Sequence, residues 1–373
     1  MTKRTKRFPV LIVAVVLLAA CNREPQSTGP KFTGRLILLS GDVTTGANLI
    51  ELTPAPAAAT YNLSTLATGV FEAAASPDRT HLIYATKDEI IWRDLHTGAF
   101  KSLIKGSGLC LAWSPDNNRF SYKQKAEDKP NGAATKLYVS DLDGKTKLIW
   151  DDPFDPTTHS SGASAHSSSC AQWISPNRLV FDRLLGAVAK QTKGGELLKP
   201  NTTTVATVGD TVKLVDDERK WSVEAVCPAG SGALLRPADQ AQPILFARNL
   251  DGFKTLDPKP IDCSGCRFVG FAAQSCFPFF IRDATSTTTE LVSLNPTNWQ
   301  RQGSATINQT FSLNARMLIK SSARLMVIGD VPAKLLLIDT ESGDLTPFFP
   351  ESATAARNAG PLQAPVPVAW IEN

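Results

Sequence analysis

The sequence lacks long apolar runs and sustained helical periodicity beyond its first 20 residues. Methionine, tyrosine and histidine are scarce, with 3, 4 and 4 copies among 373 residues. Turn-forming residues are plentiful by comparison, because 24 glycines and 25 prolines lie mainly between short apolar runs. This pattern favours many short strands joined by turns over long helices.

The sequence also lacks an excess of charge of one sign once its amino terminus is set aside. The formal net charge is +4, from 39 basic and 35 acidic residues. Four of the basic residues, at positions 3, 4, 6 and 7, lie in a segment that we expect to be removed, which leaves 35 of each sign. A basic footprint is therefore absent, and we expect no nucleic-acid partner.

Familiar catalytic motifs are missing as well. There is no Gly-x-Ser-x-Gly elbow and no Gly-x-Gly-x-x-Gly after a strand. The run Gly144-Lys145-Thr146 ends like a phosphate-binding loop, but Val139 stands where the upstream glycine should be. A propeller peptidase would need a further hydrolase domain of roughly 200 residues, and the chain leaves no room for one. We therefore expect no catalytic residue from these motifs.

Residues 1–21 have the form of an export signal. A basic segment, residues 3–7, precedes an uncharged apolar stretch, residues 8–20, which is short for a membrane span. Residues 18–21, Leu-Ala-Ala-Cys, resemble the bacterial lipoprotein lipobox. The resemblance implies cleavage before Cys21 and attachment of acyl chains to it. An ordinary signal peptide and an uncleaved anchor helix are the alternatives.

The lipobox resemblance also implies a location. An aspartate after the cysteine accompanies inner-membrane retention in that family, whereas Asn22 follows here. This favours the outer membrane of a bacterial envelope, facing the periplasm. We divide the chain into a signal peptide (residues 1–20), a lipidated cysteine with a flexible polar tether (residues 21–33) and one domain (residues 34–373).

A five-residue phrase recurs along this domain. Ala-Ala-Ser-Pro-Asp occupies residues 74–78, and Ala-Trp-Ser-Pro-Asp occupies residues 112–116. Each copy is followed by two strand-like runs, a turn containing glycine and a closing strand. The spacing of about 40 residues is the period of a four-stranded propeller blade.

The repeats predict an all-β propeller of four-stranded blades. Full blades are expected at residues 70–105 and 109–150, and later blades open near positions 171, 222, 267 and 315. Seven blades are favoured, and six remain open because residues 183–262 are poorly patterned.

The two chain ends are expected to share one blade. Residues 35–39 and 48–52 look like middle strands whose inner strand is missing. Val366–Ile371 echoes the inner strand that carries the second phrase. We expect this carboxy-terminal strand to complete the amino-terminal blade and close the ring, which removes free sheet edges.

The repeats resemble the TolB-type propeller family, whose blades carry Trp-Ser-Pro-Asp at this point. The resemblance is good over residues 70–150 and partial over residues 171–182, and it implies the propeller fold. The glycine usual after the phrase is replaced by Arg79 in one copy and by Asn117 in the other. We carry over the fold and not the family's partners.

Three tryptophans occupy matching positions in the repeats. Trp113, Trp173 and Trp370 each lie near the end of an expected inner strand. Large aromatic side chains stabilise mainly by burial, so we expect packing between blades. Stacking on a ligand is the alternative.

Six cysteines follow Cys21, and an even number in an exported chain suggests disulfides. Two of them stand three residues before a blade tryptophan, so their pairing is favoured. The Cys-x-x-Cys pair could close a local ring, which leaves the last two together. Fifteen pairings are possible, and metal, redox or free-thiol roles are alternatives. The three favoured pairs are Cys110 with Cys170, Cys263 with Cys266, and Cys227 with Cys276.

A long excursion, residues 151–169, separates the second and third repeats. Long propeller loops often carry function, so its polar residues are a candidate partner-binding loop. The acids could hold calcium and the histidines a transition metal, whereas a mobile solvated loop is the alternative. The candidate residues are Asp151, Asp152, Asp155, His159 and His166.

These observations predict a lipid-anchored envelope propeller that serves as a protein-binding or scaffold module, with the membrane and an envelope protein as partners. The alternative is a binder or hydrolase of a small ligand, such as a sugar or lactone, at the channel mouth. Calcium would be the one candidate cofactor, and no resident cofactor is otherwise expected. The sequence leaves enzymatic activity open and favours binding. Clustered Asp, Glu, Asn or His side chains at the channel mouth would support the alternative, and a lining of small apolar residues would oppose it.

Overall fold

The structure is a computed structural model, and its regular elements are β-strands. Within the described residues, no helix is long and apolar enough to cross a membrane. The described residues are 31–55, 61–129, 132–151, 167–184, 201–217, 221–227, 232–237, 245–248, 259–272, 276–295, 298–311, 316–320, 322–330, 334–348, 362 and 365–372.

The described residues contain 29 strands. They are β1 (Arg35–Ser40), β2 (Ala47–Pro54), β3 (Tyr61–Val70), β4 (Glu72–Ala75), β5 (His81–Ala85), β6 (Glu89–Asp94), β7 (Phe100–Lys105), β8 (Leu109–Trp113), β9 (Arg119–Lys129), β10 (Gly132–Asp141), β11 (Thr146–Asp151), β12 (Ser167–Ser168), β13 (Gln172–Ser175), β14 (Arg178–Leu184), β15 (Asn201–Val208), β16 (Val212–Asp217), β17 (Trp221–Val226), β18 (Gly232–Pro237), β19 (Leu245–Arg248), β20 (Lys259–Pro260), β21 (Arg267–Phe271), β22 (Pro278–Asp283), β23 (Thr289–Leu294), β24 (Arg301–Ile307), β25 (Arg316–Ile319), β26 (Leu325–Asp330), β27 (Lys334–Asp339), β28 (Leu345–Pro347) and β29 (Val366–Ile371).

These strands form seven antiparallel sheets, which we number as blades 1 to 7 in chain order. Blade 1 has the order β29-β1-β2-β3, and blades 2 and 3 contain β4 to β7 and β8 to β11. Blade 4 has five strands, because β12 and β13 both pair with β14. Blades 5, 6 and 7 contain β17 to β20, β21 to β24 and β25 to β28. The predicted all-β fold with seven blades is confirmed.

The predicted closure of the ring is also confirmed. The carboxy-terminal strand β29 pairs antiparallel with β1, with Leu36 opposite Trp370 and Arg35 opposite Ile371. A blade built from both chain ends joins the first and last repeats without a covalent bond, and β29 covers the edge of β1 that would otherwise be unpaired.

The apolar core is divided into seven seams, one between each pair of neighbouring blades. Along β1, Leu36 and Leu38 face the seam with blade 7, whereas Ile37 and Leu39 face the seam with blade 2. Successive side chains of a strand point to opposite faces, and here both faces are buried. The blade strands therefore appear in the sequence as continuous apolar runs rather than as an alternation.

An aromatic cluster fills the seam where the ring closes. The rings of Phe348 and Trp370 lie 5.0 and 5.2 Å from that of Phe32, and Tyr61 lies 6.1 Å away. The Trp370 indole N–H donates to the carbonyl of Thr33 at 2.8 Å. The segment that precedes β1 is thereby fixed against the last strand of the chain.

The closing seam yields a stability prediction. Trp370→Ala should lower the free energy of unfolding by about 3–5 kcal/mol, because it empties a fully buried site. Trp370→Phe should lower the free energy of unfolding by less, because a phenyl ring still fills part of the site. Urea unfolding followed by circular dichroism measures both.

The matched control is an exposed aromatic residue. Phe100 in β7 is 66% exposed, so Phe100→Ala should change the free energy of unfolding by no more than about 0.5 kcal/mol. Equal losses for Trp370→Ala and Phe100→Ala would contradict the role assigned to the closing seam.

Candidate binding site at the channel mouth

The repeated Ser-Pro-Asp phrase forms a self-capped turn. In the first copy, the Ser76 hydroxyl donates to Asp78 at 2.6 Å and accepts the backbone N–H of His81 at 2.9 Å. The same Asp78 carboxylate accepts the N–H of Thr80 at 3.1 Å. Proline suits the second position of such a turn, because its fixed φ matches the required conformation.

The second copy repeats these contacts. The Ser114 hydroxyl donates to Asp116 and accepts the N–H of Arg119 at 3.1 Å. The Asp116 carboxylate accepts the N–H of Asn118 at 3.3 Å. The phrase is therefore explained by turn capping, and it does not by itself mark a reactive site.

The turn carboxylates ionise readily. Burial opposes the ionisation of Asp78, but hydrogen bonds from Ser76 and Thr80 outweigh it and hold its pKa below the ordinary value. Burial likewise opposes ionisation of Asp116, and hydrogen bonds from Ser114 and Asn118 lower its pKa. Both groups are anionic near neutral pH.

The three blade tryptophans pack between blades. The indole N–H of Trp113 donates to the carbonyl of Ala74, and that of Trp173 donates to the carbonyl of Ala112, both at 3.0 Å. Each bond joins an inner strand to the inner strand of the preceding blade. Trp113, Trp173 and Trp370 are all buried, so packing accounts for these rings better than stacking on a ligand.

A partly buried carboxylate ties blade 2 to blade 3. The two oxygens of Glu72 on β4 accept the N–H groups of Cys110 and Leu111 on β8, at 2.7 and 2.8 Å. An amide makes an equivalent contact between blades 4 and 5, where the side chain of Gln172 accepts the N–H of Val226 at 2.8 Å. Burial raises the pKa of Glu72, although the two N–H groups oppose the rise.

A cavity of about 610 Å³ lies on the axis where the inner strands end. We call this end of the ring the channel mouth, and residues 76–80 and 114–118 form turns there. The walls of the cavity combine alanine and valine side chains with tryptophan rings from several blades. The sequence predicted a candidate site at the channel mouth but not its lining, because these residues are scattered along the chain. One lining residue from each of six blades is Val368, Ala75, Ala112, Gln172, Val226 and Leu318.

The rim of the cavity is polar. Asp78, Arg79 and Asn117 line it beside the tryptophan edges. Arg79 donates to the carbonyl of Trp370 and forms an ion pair with Glu372 at 3.3 Å. Burial lowers the pKa of Arg79, and the charge of Glu372 opposes that change. The lining thus combines an apolar wall with a few polar groups, which is the usual composition of a binding cavity.

A second cavity of about 710 Å³ lies between blades 6 and 7. It is lined by Phe277, Phe279, Ala323, Arg324 and Glu341, among others. No motif in the sequence pointed to it.

The six cysteines of the domain form three disulfides. Cys110 is joined to Cys170 with a Cα–Cα distance of 5.0 Å, which links blades 3 and 4. Cys227 and Cys276 link blades 5 and 6, also at 5.0 Å. Cys263 and Cys266 close a local ring at 5.4 Å.

The candidate partner-binding loop is described only at its start. Asp151 is exposed and forms an ion pair with Lys136 at 3.2 Å. It lies at the end of blade 3 away from Trp113, so the structure does not bring it to the axial cavity. In the part of the chain with described positions, no three His, Cys, Asp or Glu residues are grouped to hold a metal. The other candidates lie outside that part: Asp152, Asp155, His159 and His166.

Comparison with known proteins identifies the fold. No family model and no curated protein matches the sequence. A candidate 6-phosphogluconolactonase from Bacteroides uniformis is similar in structure, with a TM-score of 0.52 and 11% identity over 90% of this chain and 98% of that chain. The propeller domain of the Trilobed protease from Pyrococcus furiosus gives a TM-score of 0.51 and 11% identity, over 84% and 98%.

This chain is a β-propeller. TolB from Acinetobacter baumannii is also among the similar structures, with a TM-score of 0.46 and 12% identity over 92% of this chain and 68% of that chain. Likeness at this level of identity establishes the propeller fold and no activity.

The partly buried carboxylate of Glu72 yields a prediction with a pH dependence. Glu72→Ala should lower the free energy of unfolding by about 2 kcal/mol, because two N–H donors lose their acceptor. The pKa of Glu72 is raised from 4.5 in the fold. The contribution of the Glu72 side chain to the free energy of unfolding is therefore largest below pH 4.5, where the group is protonated in both states. It falls as the pH rises through the pKa of the folded state, because the charged form is less stable in the fold. Urea unfolding should show a larger loss at pH 4.5 than at pH 7.

Glu89 provides the control with the opposite sign. Hydrogen bonds from Ser102 and then Lys105 lower its pKa, so its contribution is present at neutral pH and is lost on acidification. A Glu72→Ala loss that grows towards pH 7, as expected for Glu89→Ala, would contradict the assigned cause.

Proposed function

We propose that this protein is a lipid-anchored propeller of the bacterial cell envelope that binds a partner protein at its channel mouth. The observation that carries the proposal is the axial cavity of about 610 Å³ with its polar rim. This volume is in the range in which proteins enclose ligands, and a cavity open at one face admits an extended segment of a partner.

The rigidity of the ring supports a binding role. The seam hydrogen bonds of Trp113, Trp173 and Glu72 hold neighbouring inner strands at fixed distances. The cavity lining is therefore largely preformed, and binding would spend little free energy on ordering it. A preformed site suits recognition of a segment that is itself disordered before it binds.

The anchor part of the proposal rests on the amino terminus of the sequence. Cys21 is ten residues from Lys31, where the described chain begins. An extended chain spans at most about 3.6 Å per residue, so the tether would let the domain move within about 35 Å of its anchor. Each buried methylene of an acyl chain contributes about 0.8 kcal/mol, and two or more chains are needed for lasting attachment.

Crosslinking in cells tests the binding site. A photoreactive amino acid in place of Pro115, which also lines the cavity, should capture one defined envelope protein, identified by mass spectrometry. The same group in place of Leu214, an exposed outer-strand residue, should not capture it. Failure of the rim position to capture any protein, or equal capture at both positions, would contradict partner binding at the channel mouth.

Metabolic labelling tests the anchor. Cys21→Ala should abolish incorporation of labelled palmitate and release the protein from sedimented membranes. The conservative control is Asn22→Ser, which should leave the label in place. Palmitate retained by Cys21→Ala would show that the lipidation site is wrong.

A small ligand such as a sugar or lactone is the second candidate. Asp78 and Asn117 at the rim favour it, whereas the alanine and valine side chains of the wall oppose it. Native mass spectrometry of the protein released gently from envelopes distinguishes the two. A bound mass below about 1,000 Da, combined with no captured protein, would favour the small ligand.

A further inference from the structure

Arg79 and Asn117 share a backbone conformation that residues other than glycine rarely adopt. Their φ angles are 60° and 61°, in the left-handed region, where a Cβ atom crowds the backbone. Each follows a Ser-Pro-Asp phrase. Ala323, with φ of 61°, occupies the matching connection of blade 7. Non-glycine residues held in such a conformation are enriched at functional sites, which motivates a search for a role.

The side chains of Arg79 and Asn117 both line the axial cavity, whereas Ala323 lines the cavity between blades 6 and 7. The hydrogen bonds of Arg79 to Trp370 and Glu372 both use Nη1. Asn117 accepts the N–H of Asp78 through Oδ1 at 3.3 Å. Among described contacts, Nε and Nη2 of Arg79 and Nδ2 of Asn117 thus stay available as donors.

The charges beside these donors balance. The Glu372 carboxylate is shared by Arg79 at 3.3 Å and Lys320 at 3.9 Å, and the Asp78 carboxylate carries a second negative charge. The acceptor capacity of Asp78 is used by Ser76 and Thr80 within its turn, so the N–H donors of Arg79 and Asn117 face the cavity without it. A guanidinium and an amide with available donors favour a ligand that brings acceptors, and a carboxylate is the strongest acceptor for a guanidinium.

We propose that Arg79 and Asn117 determine specificity at the channel mouth by receiving a peptide carboxylate, with the adjacent residues extended along the apolar wall. The proposal rests on the proposed function, because it names the kind of segment that the cavity takes. The guanidinium of Arg79 binds the carboxylate in competition with Glu372, and the amide of Asn117 donates to a carboxylate oxygen or a neighbouring peptide carbonyl. Small side chains suit a wall built from Ala75, Ala112 and Val368.

A pair of tripeptides tests the ligand class. The probes are acetyl-Ala-Ala-Ala with a free carboxylate and the same peptide as its carboxyl-terminal amide. Titration into the ¹⁵N-labelled protein should shift the indole signals of Trp113, Trp173 and Trp370 at millimolar concentration of the acid. The amide should bind at least five-fold more weakly.

Three glycine substitutions test the residues. Arg79→Gly and Asn117→Gly should each weaken binding of the acid at least five-fold. Ala323→Gly is the matched control, since it changes the same backbone conformation outside the axial cavity and should bind as the wild type does. Glycine suits a positive φ, so the Tm of Asn117→Gly and Ala323→Gly should be unchanged or about 1–2 °C higher. Loss of binding without loss of stability separates a ligand-binding role from a structural one.

Two results would overturn the proposal. One is equal affinity of the wild type for the acid and the amide, including no shift with either peptide. The other is unchanged binding of the acid by both Arg79→Gly and Asn117→Gly. If the peptides fail while crosslinking from position 115 still captures a protein, the carboxylate inference is wrong and partner binding stands. If both fail, the proposed function is wrong as well.

Discussion

The fold depends on burial of both faces of every blade. Leu36 and Leu38 of β1 belong to one seam, and Ile37 and Leu39 of the same strand belong to the next. A single blade would expose two apolar faces and could not be stable alone, so each blade requires two neighbours. Only a closed ring gives every blade both, and β29 supplies the closure by pairing with β1. The Trp370 ring among Phe32 and Phe348 then fills the last seam.

This constraint separates the residues that build the ring from those that can vary at its mouth. Trp113 and Glu72 bond to the backbone of a neighbouring inner strand, and they must stay for the seam to stay closed. The turn that follows each inner strand is capped by its own serine and aspartate. The next residue contributes no side chain to the apolar clusters of the seams, so it can face the cavity even where it also bonds to a neighbouring blade. Arg79 and Asn117 occupy that position.

The sequence predicted the ring better than the site, for a physical reason. Blades 2 and 3 are marked by residues that form turns. The Ser-Pro-Asp phrase and the glycine in the later hairpin turn of each blade were enough to place them. Blade 4 keeps only a partial phrase, Ser-Pro-Asn at residues 175–177, and blade 5 has none. The strand β15 contains Thr203 and Thr204, which are buried although they are polar, and β18 has no turn phrase beside it.

The axial cavity is lined by residues from strands between positions 75 and 370, and no local sequence pattern could predict that they come together. The long excursion drew attention to Asp151, which lies at the other end of its blade. The local feature that pointed to the candidate site was the position after the Ser-Pro-Asp phrase, where Arg79 and Asn117 replace the glycine that is usual in the resembled family.

The closure of the ring and the candidate site meet at one contact. Arg79 belongs to blade 2, yet it donates to the carbonyl of Trp370 and pairs with Glu372 at the end of the closing strand. Lys320 of blade 7 reaches the same carboxylate and lies 5.6 Å above the Trp370 ring. A ligand carboxylate that takes the place of Glu372 would keep both cations paired, so it need not open the seam. The aromatic cluster beneath holds the strand through buried area that the rim does not touch. The rim can therefore exchange its partners while the ring remains closed, which is the condition for a binding site built on a closing strand.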